Sequence, residues 1–393
     1  MKRLSYLLKS SKAFYTIYFY VVSGLLRFLG LFICVDNKLI LFNSFGGKKY
    51  DDSPKAIYEK MIVDKRFDSY TLIWAFQDPA KCEVPGRAKK IKSDSIKYFV
   101  TALRARVWIT NSSMERGLNF KKKKTLCFNT WHGTAIKVMG KDVTDDNKSF
   151  KSKVLVRADI MLAQGQYDVD VFSRAFAIPL SSFRITGLPR NDNLVNYTKY
   201  EADAIRKKLG IRNEKRILLY APTFREFTQG NSHEVILNIP INLDYWQDQL
   251  GDKYVVLFRA HYEVAKYMKL DDHPLFIDVS SYPNLNDLMI VSDALISDYS
   301  SIYFDYSIMH KPMYCFAYDY EEYTAKRGMY IDLSKELPCR IHLNENTLLE
   351  EVCNNAGGEK AVCKKILSFQ EKYVCAYGKA SEKSCDLIFE ALR

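Results

Sequence analysis

Hydrophobic and polar positions along the chain form two series of short apolar runs that alternate with helical patterns. The first series begins at 37–45 (NKLILFNSF), and further strands are predicted at 70–76, 106–110, 125–130, 159–163 and 183–186. The second series predicts strands at 216–221, 254–259, 275–279, 293–297 and 312–317. Parallel sheets with crossover helices produce this alternation, so the pattern predicts an α/β fold with two doubly wound halves.

The region between the two series is polar and contains a helical piece, TKYEADAIRKKLG, which is typical of a linker between domains. A chain of 393 residues is long enough for two or three domains. We therefore expect an N-terminal segment over 1–35, a first Rossmann-like domain over 36–190 and a second over 191–393 that includes the C-terminal helices. Because ligands of such sheets bind at the carboxyl ends of the strands, the site is expected in a central cleft between the two halves.

The N-terminal segment combines a basic stretch, residues 1–12, with the almost wholly apolar residues 13–35, in which Arg27 is the one charge. No small-residue cleavage site followed by polar chain is evident, so removal as a signal peptide is not expected. The stretch is long enough to span a bilayer. Its Tyr and Phe residues and Arg27 favour a helix lying in the headgroup region of an anionic leaflet. Packing on the protein body and a true span remain open alternatives.

Composition narrows the class of protein. The chain is 48% hydrophobic and 26% charged, which excludes a disordered or collagen-like chain. Nine scattered cysteines without a CxxC pair support neither a disulfide framework nor a zinc site, and no metal is expected. The formal net charge of +12 indicates an acidic partner: nucleic acid, anionic lipid or a phosphorylated substrate.

The candidate chemistry lies directly after predicted strands, whereas GxGxxG and P-loop motifs do not occur. In the first half, the strand at 125–128 is followed by NTWHGT, which contains His132. An imidazole at the carboxyl end of a strand can accept a proton from a hydroxyl. A purely structural histidine is common at such a position, and the pattern leaves both interpretations open.

Three motifs of the second half share this placement after a strand. The APTFR motif offers the hydroxyl of Thr223 and the forked cation of Arg225 to a phosphate. The RAH motif contains Arg259 and repeats the strand-then-histidine arrangement at His261. In ISDYSS, Ser300 and Ser301 begin a helix whose N-terminus suits a diphosphate. Asp298 in the same motif is a candidate for orienting a histidine or binding a ribose hydroxyl. A turn with a solvated arginine and a serine cap on a core helix are the structural alternatives.

Taken in order, the segments ILFNSFGGKKYDDSPKAIYE, NTWHGTAIK, YAPTFRE, FRAHYE and YPNLNDLMIVSDALISDYSSIYFDY resemble the CDP-glycerol glycerophosphotransferase family of wall teichoic acid synthesis. The resemblance covers roughly Leu39 to Tyr323. It implies a GT-B fold and transfer of glycerol phosphate from CDP-glycerol to an undecaprenyl-diphosphate-linked acceptor, with release of CMP. The expected location is the cytoplasmic face of a bacterial membrane, with peripheral attachment.

The resemblance also implies roles for individual residues. His132 would be the general base, and His261 would act on the transferring phosphate. Thr223, Arg225, Ser300 and Ser301 would cradle the diphosphate of CDP-glycerol, with Arg259 and Asp298 beside them in the same motifs. No cofactor is implied, because cationic side chains suffice to neutralise the phosphate charge.

Several questions stay open at this level. The family's polymerases commonly carry a long N-terminal extension, and its absence from this sequence favours a primase-like enzyme. CDP-ribitol or another polyol-phosphate donor of capsule type is the nearest alternative. A GT-B nucleotide-sugar glycosyltransferase is a second, and a non-enzymatic membrane scaffold is a third. Nucleic acid is not an expected partner, because no motif resembles a nucleic-acid module.

Overall fold

The computed structural model describes residues 12–143, 156–212, 214–223, 240–260, 270, 273–354 and 359–393. Within these residues seven parallel strands form one sheet, in the order β3-β2-β1-β4-β5-β6-β7. They are β1 (Asp36–Asn43), β2 (Thr71–Phe76), β3 (Lys89–Lys92), β4 (Ala105–Thr110), β5 (Leu126–Asn129), β6 (Ile160–Ala163) and β7 (Phe183–Ile185). The central strands are buried on both faces, which explains why they are nearly continuous apolar runs in the sequence.

The described helices that precede the second unit and accompany this sheet are α1 (Lys12–Phe32), α2 (Asp52–Met61), α3 (Ile96–Arg104) and α4 (Gln166–Phe176). Helix α2 begins where the side chain of Asp51 accepts a hydrogen bond from the backbone N–H of Asp52. On one face of the sheet, α2 contributes Tyr58 to an aromatic cluster with Phe42 and Trp74, whose rings are stacked 5.2 Å apart. This packing holds α2 against the carboxyl end of β1.

A second sheet follows in the chain, and its described strands take the order β10-β9-β8-β11-β12-β13, all parallel. They are β8 (Arg216–Tyr220), β9 (Tyr254–Phe258), β10 (Phe276–Asp278), β11 (Ala294–Ser297), β12 (Met313–Phe316) and β13 (Ile341–His342). This is the strand order of Rossmann-type sheets, in which the direction of winding reverses between the first and fourth strands. The reversal point therefore lies between β8 and β11.

The helices associated with the second sheet are mostly short. In chain order they are α5 (Asn193–Asn196), α6 (Lys199–Lys208), α7 (Leu243–Leu250), α8 (Leu285–Val291), α9 (Ile302–Ser307), α10 (Tyr320–Arg327), α11 (Leu333–Glu336), α12 (Glu345–Asn354) and α13 (Glu359–Tyr373). Helix α6 is the helical piece of the predicted linker. It carries a full capping box, in which Thr198 and Glu201 satisfy each other's backbone N–H groups.

The chain divides into two compact units. Unit 1 comprises Met1–His132, Met139–Asp192 and Ala376–Arg393, and unit 2 comprises Gly133–Val138 and Asn193–Cys375. The short segment of unit 2 pairs with the loop after α10, since Lys137 bridges to Met329 and Tyr330 donates to the Ile136 carbonyl. The chain passes from unit 1 to unit 2 after Asp192, two residues beyond the predicted domain boundary at residue 190.

The last helix, α14 (Ala380–Leu392), corrects the predicted domain plan. The sequence pattern predicts all C-terminal helices in the second domain. Instead, Cys385 and Ile388 of α14 are fully buried with Ile57 and Phe67 in a core of unit 1. Arg66 adds an ion pair to Asp386 at 2.8 Å. An amphipathic helix packs wherever its apolar face finds a complementary core, and here that core belongs to the first sheet.

Helix α1 has two different faces. Its inner face packs on unit 1 through Leu26, which is buried, and Ser23, whose hydroxyl accepts a hydrogen bond from the backbone N–H of Asn119. Arg27 donates to the Asn119 carbonyl at 2.9 Å, and Tyr15 donates to the Gly117 carbonyl at the same distance. The outer face is a strip of exposed apolar side chains: Ile17, Tyr20, Val21, Leu25, Phe28, Leu31 and Phe32. Judged by length and composition alone, the helix is also long and apolar enough to cross a membrane.

Candidate active site

The first cluster lies where β1, β4 and β5 end, at one edge of the unit 1 sheet. His132 follows β5 in a sharp turn, because Trp131 and Gly133 on either side have positive φ angles of 51° and 140°. The turn is fixed by Asn129, whose side chain accepts a hydrogen bond from the Trp131 backbone N–H at 2.9 Å. A left-handed conformation at a bulky tryptophan is uncommon and concentrates at functional sites.

The imidazole of His132 is held on three sides. Its ring stacks on Trp131 with centroids 4.1 Å apart, and Phe45 from the loop after β1 lies 5.8 Å away. Nδ1 lies 2.7 Å from the main-chain carbonyl oxygen of Asn111, just after β4. A carbonyl oxygen only accepts hydrogen bonds, so Nδ1 carries a proton and the neutral ring presents Nε2 as a proton acceptor.

The environment also sets the protonation state of His132. Burial lowers the pKa of His132 below its usual value near 6.5. The hydrogen bond to Asn111 and the negative charge of Asp52 oppose that change, and the positive charge of Arg190 reinforces it. A lowered pKa keeps the imidazole neutral at physiological pH, which is the state that a general base requires.

The second cluster lies in unit 2, where β8 and β11 end on either side of the reversal point of the sheet. Thr223 follows β8, and Ser300 and Ser301 follow β11. All three are half-buried. Ligands of Rossmann-type sheets bind at this point. Because α9 is only six residues long, the predicted phosphate site rests on hydroxyl and N–H groups rather than on a helix dipole.

The side chain of Asp298 connects the two loops of this second cluster, one after β8 and the other after β11. Its carboxylate is 1% exposed and accepts hydrogen bonds from the backbone N–H of Thr223, at 2.9 and 3.1 Å, and of Tyr299, at 2.6 Å. Tyr299 in turn stacks on Tyr323, with ring centroids 3.9 Å apart. These contacts indicate that Asp298 positions the two loops. Its predicted part in orienting a histidine or binding a ribose hydroxyl stays a prediction.

The contacts of Asp298 lead to a testable prediction. Asp298→Ala leaves buried backbone N–H groups without their acceptor, so we expect a loss of about 2–4 kcal/mol of unfolding free energy. We also expect weaker binding of a nucleoside-diphosphate donor, by about tenfold, because the loop of Thr223 is released. Chemical denaturation and calorimetric titration with the donor measure the two effects.

Asp293 provides a matched control for this prediction. It precedes β11 and accepts the backbone N–H of Ile217 at 2.7 Å, so it ties the same two strands together at their opposite ends. Asp293→Ala is expected to cost stability without weakening donor binding. Equal losses of donor affinity in the two variants would contradict the positioning role of Asp298.

The remaining predicted site residues fall into two groups. Arg259 follows β9 and donates to the carbonyls of Val279 and Tyr282, at 3.1 and 2.7 Å, so part of its guanidinium holds the loop after β10. Arg225 and His261 lie outside the described residues, and their roles stay predictions. Among the residues described, no group of three or more His, Cys, Asp or Glu is arranged to hold a metal ion.

Two parallel sheets, with a strand-end histidine in unit 1 and a hydroxyl-lined loop pair in unit 2, define a two-unit α/β protein of Rossmann type. A family model described as CDP-glycerol:poly(glycerophosphate) glycerophosphotransferase matches residues 25–390. The chain belongs to this family, to which the sequence motifs had assigned it.

Individual relatives agree with the family. A teichoic acid poly(glycerol phosphate) polymerase of Staphylococcus epidermidis is 35% identical, and the match covers 91% of this chain and 51% of the relative. This chain therefore spans about half of that polymerase. A teichoic acid glycerol-phosphate transferase of Staphylococcus aureus is 32% identical, with 90% and 94% of the two chains covered.

A solved structure extends the likeness to three dimensions. The wall teichoic acid polymerase TagF, as a histidine-to-asparagine variant soaked with CDPG, superposes with a TM-score of 0.85. It is 33% identical, and the superposition covers 95% of each chain. The α/β fold with two parallel sheets is thus shared with TagF, as the predicted GT-B class requires.

Proposed function

We propose that the protein transfers glycerol phosphate from CDP-glycerol to a hydroxyl group of a teichoic acid precursor and releases CMP. The observation that carries the proposal is the geometry of His132. Its Nδ1–H is fixed on the Asn111 carbonyl, so Nε2 is the proton-accepting atom at the carboxyl edge of the unit 1 sheet. Family membership supports the choice of donor.

The proposed reaction is one displacement at phosphorus. Nε2 of His132 takes the proton of the acceptor hydroxyl as its oxygen forms a bond to the phosphorus that bears glycerol. The bond from that phosphorus to the bridging oxygen of the diphosphate breaks, and its electron pair leaves with CMP. Such transfers depend mainly on positioning and on neutralising charge.

The donor's diphosphate is proposed to lie against Thr223, Ser300 and Ser301. Their position at the reversal point of the unit 2 sheet supports this role. Arg225 and His261 are proposed to supply cationic charge and contact with the transferring phosphate, and Arg259 is proposed to assist them. No metal or cofactor is proposed, since these side chains provide the charge that the reaction needs.

The proposed acceptor is an undecaprenyl-diphosphate-linked disaccharide, to which one or a few units are added. Likeness to the S. aureus teichoic acid glycerol-phosphate transferase, over 94% of that relative's length, supports the addition of glycerol phosphate to a teichoic acid precursor. A teichoic acid glycerol-phosphate primase of Bacillus subtilis is 30% identical over 59% of this chain, which agrees with a primase-like role.

Peripheral attachment to the cytoplasmic face of a bacterial membrane is proposed for the same enzyme. Support comes from the outer face of α1, whose exposed apolar strip lies opposite the hydrogen bonds that hold the helix on unit 1. A lipid-linked acceptor requires an enzyme that works at the membrane surface. The basic residues of 1–12 suit an anionic leaflet.

The deciding experiment incubates purified protein with CDP-glycerol or CDP-ribitol and a lipid-linked disaccharide. CMP release and product mass are followed, with and without EDTA. We expect CMP release and addition of glycerol phosphate with CDP-glycerol, unaffected by EDTA. Turnover with CDP-ribitol alone would overturn the choice of donor, and addition of long chains would overturn the primase-like role. Transfer of sugar from a nucleotide sugar would replace the proposal with a glycosyltransferase.

A further inference from the structure

A buried ion pair lies directly beside the histidine of unit 1. Arg190 Nη1 lies 2.6 Å from Asp52 Oδ2, and the two side chains are only 14% and 5% exposed. The same Nη1 donates a hydrogen bond of 2.8 Å to the main-chain carbonyl of His132. Asp52 begins α2, and Arg190 lies in the short turn Pro189–Asn191 that packs on that helix. Residues 138 positions apart thus meet at the turn of His132.

The backbone around the pair explains what it has to hold. Both neighbours of His132 have positive φ angles, so its carbonyl lies in a turn that is strained at Trp131. Asp52 also has a positive φ, 64°, and its Oδ1 accepts the backbone N–H of Ser53 at 2.6 Å. One carboxylate therefore anchors the start of α2 with one oxygen and Arg190 with the other.

We propose that Asp52 and Arg190 are positioning residues that hold the His132 turn and set the charge balance around its imidazole. Arg190 fixes the His132 carbonyl, and Asp52 fixes Arg190. This proposal rests on the proposed role of His132 as general base. Neither residue contacts the reacting atoms in this scheme, and each acts through the histidine.

The two members of the pair act on the histidine in opposite directions. The negative charge of Asp52 favours the imidazolium and raises the pKa of His132, whereas the positive charge of Arg190 lowers it. Among the described residues these are the charged side chains that act on His132. In the intact pair the opposite charges of Asp52 and Arg190 nearly cancel in their effect on the pKa of His132. Burial therefore keeps the imidazole neutral, while Arg190 holds the main-chain carbonyl of His132.

Opposite charges predict opposite pH effects. In Asp52→Asn the pKa of His132 falls, so the acidic limb of kcat/KM moves to lower pH, by about half a unit. In Arg190→Gln that limb moves to higher pH by a similar amount. Both variants are expected to lose about tenfold in kcat because the turn loosens. A residue that only stabilises the fold would lower the melting temperature without moving the limb in a charge-dependent direction.

Arg87 and Asp68 provide a matched control pair in the same unit. Arg87 contacts the Asp68 carboxylate and also donates to the main-chain carbonyl of Phe67, as Arg190 does at His132. Arg87→Gln and Asp68→Asn are expected to leave the pH profile of kcat/KM unchanged. A shift as large as that of the Arg190 and Asp52 variants would overturn the specific role of the pair.

A second measurement keeps the test independent of turnover. Histidine ring ¹³C–¹H signals, with His132 assigned through His132→Gln, report its titration in the wild type and in each variant. Shifts in opposite directions support the proposal, and shifts in one direction or none overturn it. If His132→Gln retains wild-type turnover, the general-base role itself fails. If His132→Gln is inactive but the opposed shifts are missing, only the ion-pair proposal fails.

Discussion

His132→Ala is expected to lower kcat by about a hundredfold or more while donor affinity changes less than about threefold. Proton abstraction by a positioned base contributes about 10²- to 10⁴-fold to a rate. The proposed donor contacts are Thr223, Ser300 and Ser301 in unit 2, so removing the imidazole leaves them intact. CMP release measures kcat, and calorimetric titration with CDP-glycerol measures the donor's Kd.

Two further observations separate a general base from a structural histidine. Because burial lowers the pKa of His132, wild-type kcat/KM should persist below pH 6.5 and fall as the pH drops through that lowered value.

Free imidazole in the buffer should restore part of the activity of His132→Ala, since the variant leaves a space next to Trp131. His273→Ala is the control, as this histidine lies in unit 2 near Asp244. Wild-type turnover in His132→Ala would contradict the role.

The sequence was sufficient to predict most strands of both sheets. Each central strand is a run of apolar residues ended by a polar or glycine-containing turn, and burial on both faces requires such a run. The exceptions are β3 and β13. Strand β3, whose sequence KKIK has three lysines, is an edge strand with one buried residue, Ile91, so the apolar signal is too weak to detect. Strand β13 has only two residues, Ile341 and His342, which is too short for a pattern.

The position of His132 could be predicted for a related reason. In a parallel sheet the residues after a strand lie at the carboxyl edge, whatever the rest of the fold, and His132 lies three residues after the end of β5. The tautomer of His132 was not predictable, because it depends on the Asn111 carbonyl, which the loop after β4 supplies. The same holds for Arg190 and Asp52, which are joined only by the folded chain.

Long-range packing is the other feature that could not be predicted from the sequence. The apolar face of α14 shows that this helix packs on something, but not that Ile388 fits the core of unit 1. Likewise, an aspartate after a strand is typical of ligand binding, and only the folded chain shows that the buried carboxylate of Asp298 accepts backbone N–H groups. Sequence patterns locate polar groups along the chain and do not give their partners.

Helix α1 allows a direct test of membrane attachment. Leu25 and Phe28 lie on its outer face and are 54% and 57% exposed. Leu25→Glu with Phe28→Glu is expected to weaken binding to phosphatidylglycerol vesicles by about a hundredfold. Burying each such side chain is worth about 1.5–3 kcal/mol, and the added charges disfavour an anionic surface. Vesicle co-sedimentation measures the change, and turnover on a water-soluble acceptor should remain.

Surface substitution is a sharper test than deletion of residues 1–35, which should also release the protein from vesicles. The inner face of α1 contributes Leu26 to a core of unit 1 and Ser23 to a hydrogen bond with Asn119. Deletion therefore removes core packing as well, and a loss of membrane binding would have two causes. The glutamate pair leaves that inner face intact, so folding is expected to be unchanged.

The control places the same charges on exposed apolar residues elsewhere in unit 1. Val63 and Ile96 are 75% and 85% exposed, and neither lies on α1. Val63→Glu with Ile96→Glu adds the same net charge, so any general electrostatic repulsion from anionic vesicles appears equally in both double variants. Selective release of the α1 variant identifies its outer face as the attachment surface. If both double variants bind vesicles equally, hydrophobic insertion of α1 contributes nothing. Attachment would then have to come from a basic face of the protein body.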